Sequence, residues 1–104
     1  MAKSRDVYTL VVEVGRKADD GLPEDSTGAA LLCYAAAVDE AEAVRETVAV
    51  LKTAGLAPLD VTGYGTQEER RVNGPDLSGD EEEMMARALD QNAVIVAEVT
   101  HFTD

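Results

Sequence analysis

The sequence predicts an α+β fold: one sheet of four or five strands, mostly antiparallel, with two helices on one face, in the order β-β-α-β-(β)-α-β. Three observations lead there. Two stretches show helical apolar spacing, and each is opened by a capping residue. The other apolar runs are short and alternate with period two, as strands do. The chain has 104 residues, enough for one small domain over 1–104 whose core buries roughly 65% of the unfolded surface.

The first strand is Val7 to Val14, with Tyr8, Leu10, Val12 and Val14 on one side and Val7, Thr9, Val11 and Glu13 on the other. Both sides are mostly apolar, so cover is expected over part of each. Gly15 ends it. Residues 15–28 hold Gly21, Pro23, three Asp, one Glu, Ser26 and Thr27. This is the composition of a loop, here a mobile acidic one. Ala29 to Val38 is a second apolar run, and it reads as strand because a helix start follows it directly. Asp39 with Glu42 is a capping-box pair that opens a helix over 40–54. Its apolar side is Ala41, Val44, Val48 and Leu51, and Gly55 stops it.

Pro58 to Thr62 is a third strand with Leu59 and Val61 inward, and Gly63-Tyr64-Gly65 breaks or bends it. Residues 66–72 fit either a polar edge strand or a loop, and Asn73-Gly74-Pro75 is a turn. Ser78 with Glu81, or Asp80 with Glu83, caps a second helix, whose acidic first turn suits the helix dipole. Met84, Met85, Ala88 and Leu89 form its apolar stripe, and Asn92 supplies a left-handed stop. Ala93 to Phe102 is the last strand, with Ala93, Ile95, Ala97 and Val99 on one side and Val94, Val96, Glu98 and Thr100 on the other. If residues 66–72 pair, the portion from residue 29 onward is βαββαβ, the order of ferredoxin-like two-layer sandwiches, with one strand added in front. If they do not pair, two right-handed crossovers make a small three-layer or two-layer βαβαβ sheet; the first arrangement is expected, because placing both helices on one face needs less chain than placing them on both.

Charge narrows the function. The chain carries 21 acids and 9 bases, for a net charge of −12. A field of that sign repels phosphate, so no nucleic acid is expected as a partner. It repels anionic lipid as well, so no membrane is expected. No apolar run reaches the ~18 residues of a membrane span. The amino-terminal apolar run is too short and too polar for a secretory leader. A lone Cys33 forms no internal disulfide and fits a reducing, cytoplasmic setting.

Reactive groups are sparse. His101 is the single His and has no second His or Cys at ligand spacing, so no metal is expected. Cys33 sits in an Ala-rich run with no base beside it, which suits a buried small hydrophobe rather than a nucleophile. Neither a G-x-S-x-G elbow nor a phosphate-binding glycine loop is present, and no cofactor is expected. Arg70-Arg71 is the one adjacent pair of arginines and is a candidate carboxylate or anion clamp. Tyr34 and Tyr64 are half-polar rings suited to interfaces or pocket mouths.

The core must be built from Val, Leu and Ala, since aromatics make up only 4% of the chain. A core of small side chains packs thinly, and association with a second copy is a natural remedy. The expectation is therefore a non-enzymatic cytoplasmic module that acts as a homodimer or through contacts with another protein. The alternative is a small-molecule binder or simple enzyme, with a pocket between sheet and loops formed by Tyr64, Arg70, Arg71 and His101. A third possibility is an acidic mimic that occupies a basic site on a partner.

Overall fold

The computed structural model describes residues 5–73 and 78–103. In chain order the elements are β1 (Asp6–Val14), β2 (Ser26–Ala37), α1 (Glu40–Thr53), β3 (Pro58–Thr66), α2 (Gln67–Asn73), α3 (Gly79–Gln91) and β4 (Val94–Thr103). The strands form one four-stranded sheet in the order β3-β1-β2-β4, and every neighbouring pair is antiparallel. The fold is thus α+β, with helices packed on an antiparallel sheet. Because β2 and β3 both run opposite to β1, they are parallel to each other, and α1 connects them across it.

The helices do not share a face. Leu51 of α1 packs with Val12, Val14, Ala29, Leu31 and Cys33, and Ala43 with Leu10, Ala35 and Ala37. Met85 and Ala88 of α3 pack with Val7 and Tyr34, which point the other way. This corrects the expected arrangement of two helices on one side. The reason lies in the central strands: β1 and β2 are apolar on both sides, so each side needs a cover. Residues 67–72 are likewise neither the edge strand nor the loop expected of 66–72 but helix. Thr66 ends β3, and α2 follows at once.

Local details differ from expectation where side-chain periodicity misleads. The buried line of α1 is Ala43, Thr47 and Leu51, while Ala41 is exposed. In α3 the buried residues are Met85 and Ala88, and Leu89 is exposed. β2 begins at Ser26, inside the segment expected to be loop. β3 runs through Gly63-Tyr64-Gly65 with a register shift opposite Tyr8 and Leu10, so the glycines bend the strand without breaking it. In β4 the register shifts between Leu32 and Cys33, where Ala97 is the extra residue. Beyond that bulge, Val99 joins Val94 and Val96 on the α1 side, and Glu98 and Thr100 join Ile95 on the α3 side.

The caps behave as the sequence implies. Asp39 accepts a bond from the Glu42 N–H at 2.8 Å, and Ser78 from the Glu81 N–H at 3.1 Å. Asn92 ends α3 at φ 50°. Of the expected turn Asn73-Gly74-Pro75, residues 74 and 75 lie outside the described residues. The acidic loop is tied down by Arg16. Its Nε meets Asp20 Oδ2 at 3.0 Å, and its Nη1 donates to the carbonyls of Pro23 (3.0 Å) and Ser26. Asp20 also accepts from the Lys17 and Leu22 N–H groups. These bonds hold its carboxyl down at about 2, with the Arg16 bond the largest cause.

Candidate functional site

A polar cluster that joins two helices to the sheet lies under α2 and α3. Thr66 and Glu69 start α2 by bonding each other's backbone: the Glu69 N–H donates to Thr66 Oγ1 at 3.2 Å, and the Thr66 N–H to Glu69 Oε1 at 3.3 Å. That start turns Arg70 toward the sheet. Its Nη1 lies 3.3 Å from Thr9 Oγ1 and 3.2 Å from Glu81 Oε2. The Ser78 cap sets Glu81 in the first turn of α3, where its Oε2 also accepts from the Tyr34 hydroxyl at 3.2 Å. Tyr34 is fully buried. Burial first, and then the Glu81 carboxylate, raise its hydroxyl above the ordinary value, while Arg70 pulls the other way. The cluster links β1, β2, α2 and α3.

Beside it opens a cavity of about 200 Å³, lined by Thr9, Val11, Leu32, Tyr64 and Arg70. Of the residues singled out from the sequence, the structure therefore brings Tyr34, Tyr64 and Arg70 to one region. His101 is exposed on β4 opposite Ala29, on the α1 side of the sheet, and is not part of it. The Arg71 side chain lies outside the described residues. A second cavity of about 380 Å³ includes Arg5, Glu42, Glu46 and Val50 in its lining, and there Arg5 is held by Glu42 at 3.1 Å. Cys33 is buried, which pushes its thiol up to about 11. Among the described residues, no three of His, Cys, Asp and Glu converge as a metal site, and no helix is long and apolar enough to cross a membrane.

A different surface runs along β4. Val96 is 39% exposed, Val99 42% and Phe102 37%. They lie on an edge strand of ten residues whose only formal charge is Glu98.

The family model for a domain of unknown function, DUF8846, matches residues 7–103. The chain belongs to the DUF8846 family. Comparison with curated proteins and with solved structures gives no match. The DUF8846 span takes in both the Arg70 cluster and all of β4.

Sequence reasoning missed Thr9 and Glu81 as members of the cluster. Glu81 carries a local signal only for helix capping, and Thr9 looks like any strand residue. Thr66-x-x-Glu69 did hold a readable sign of α2, since it is itself a capping-box spacing.

Proposed function

We propose that the chain is a non-enzymatic cytoplasmic module that works through protein contacts, first of all with a second copy of itself. One observation carries this reading: apolar side chains stand exposed along a charge-poor edge strand of a strongly acidic molecule. Isolated exposed apolar residues are common. A row of them on an unpaired edge is a template for pairing. The polar groups of the Arg70 cluster support it from the other side, because they are engaged with one another. The lone buried Cys33 suits the cytoplasmic setting. The test is the mass in solution at micromolar protein, by light scattering coupled to size exclusion. The expected mass is twice the 11.0 kDa of one chain. A single-chain mass overturns the reading.

The 200 Å³ cavity favours a second reading, a small-molecule site with Arg70 as its polar anchor. It is smaller than the ~300 Å³ floor of ordinary ligand pockets. A thermal shift with small carboxylates that disappears in Arg70→Gln would favour it. We read the sheet itself as a variant of the ferredoxin-like order. The β2–α1–β3 crossover has the split form, with β1 in the gap, and α3 covers the face that a two-layer sandwich leaves open.

A further inference from the structure

We propose that β4 pairs antiparallel with β4 of a second copy, about a two-fold axis at Val99 perpendicular to the sheet, giving one continuous eight-stranded sheet. This rests on the homo-oligomer reading above and names its surface.

The two edges of the sheet treat their backbones differently. On β3, Asp60 Oδ1 takes the Val61 N–H at 3.0 Å and Glu69 Oε1 takes the Thr66 N–H at 3.3 Å. Pro58 has no N–H to offer. Together with the bend at the glycines, these devices blunt an edge. On β4, among the described residues, no side chain takes a backbone N–H. The bare edge is ten residues long, roughly 33 Å.

Charge selects the occupant. Two copies at −12 each repel, and the cost is least where charges are fewest. β4 contains one of the chain's 21 acids and none of its bases, as does β3, so charge favours either edge over the helices and loop, and the side chains that take the Val61 and Thr66 N–H groups leave β4 as the open one. A basic partner would be drawn to the acidic helices and loop, and only a similarly neutral apolar strand matches this edge.

The bulge chooses the register. Val94, Val96, Val99 and His101 lie on the α1 side, and Ile95, Glu98, Thr100 and Phe102 on the α3 side. Partners across an antiparallel ladder must share a side. An axis at Val99 satisfies this over the whole strand. Val99 meets Val99, Val96 meets His101, Ile95 meets Phe102, and Glu98 faces Thr100 rather than its own copy. A one-residue slip sets opposite sides against each other.

Val99→Cys tests both surface and register, since residues on the axis have Cα atoms ~4.5–5.5 Å apart, inside the ~4.4–6.8 Å span that a disulfide bridges. Cys33 can stay, because it is buried. Leu59→Cys is the control, on the other edge strand and 73% exposed. Under mild oxidation at micromolar protein, Val99→Cys should form a disulfide dimer at least about tenfold faster than Leu59→Cys. The double variant Val96→Lys with Val99→Lys should run at the single-chain mass with an unchanged circular dichroism spectrum. If the unmodified chain is a dimer and Val99→Cys oxidises no faster than the control, β4 pairing is wrong while the homo-oligomer reading stands. An unmodified chain of single mass overturns both.

Discussion

The two faces of the sheet are built from the same strands and are covered in different ways. On one, α1 lies over Leu10, Val12, Leu31, Cys33 and Ala35, and Leu22 and Leu56 continue the cover at the loop end. On the other, α3 covers Val7 and Tyr34 with Met85 and Ala88. Toward the far end of that face, Val11 and Leu32 are half-buried, and Glu13, Thr62 and Tyr64 are exposed. The first cover is held by apolar burial, which is non-directional and scales with area. The second depends in addition on directed bonds, from Arg70 and Tyr34 to Glu81. The alanines of β2 explain part of this. Ala29, Ala35 and Ala37 face α1 with small side chains, whereas on the opposite side the Tyr34 ring packs with Met85 and Ala88 and its hydroxyl bonds to Glu81.

The contrast can be broken most forcefully at Leu51, which is 1% exposed. Leu51→Ala should cost about 2–5 kcal/mol in chemical denaturation and lower stability for the whole sheet. Loss confined to α1 would show that the two covers are equally superficial. Next in size is Arg70→Met, expected to cost about 1–3 kcal/mol by leaving Glu81 without its cation. Amide exchange should then rise in α2 and the first turn of α3 while α1 stays protected. A double cycle with Glu81→Gln should be clearly non-additive, and additive losses would remove the polar anchor from the account.

Thr47 sharpens the comparison from the α1 side. Its hydroxyl is buried in α1 with no hydrogen-bond partner among the described residues. Thr47→Val keeps the shape and removes the stranded group, so it should stabilise by about 1 kcal/mol, read as a rise in denaturation midpoint. The smallest effect is a matter of pH. Asp20 is held at about 2 in the folded chain, below the ~3.9 of a free Asp. Its contribution is therefore complete above about pH 4 and is lost as pH falls toward 2. The Arg16 loop, which carries Leu22 against the α1 side, should loosen in that window by NMR. Asp20→Asn should abolish the dependence, and a variant that keeps it would assign the change to another carboxyl.

What the sequence made legible was mostly local. Asp39, Ser78 and Asn92 mark helix ends through bonds to their own neighbours, and each is found in that role. The mixed apolar sides of Val7–Val14 already implied two covers, yet economy of chain suggested one. α2 was written in Thr66 and Glu69, but the short charged run around them looked equally like a guarded edge. The bulge at Ala97 left no trace, since an extra residue changes the side of everything after it without altering the composition. Tyr34, Tyr64 and Arg70 were legible as residue types. Their meeting with Thr9 and Glu81 was not, because Arg70 and Thr9 stand 61 positions apart and the sheet order brings them together.

The unequal edges have a consequence for how large an assembly can become. A sheet with two receptive edges can add copies without limit, and its end state is a fibre. Here the Asp60 and Glu69 carboxylates act as stoppers on one side. A copy that joins through β4 uses the open side of both molecules and presents a stopper at each end. If the proposed β4 pairing holds, growth halts at two, and a few hydrogen bonds on β3 separate a finite particle from an endless one.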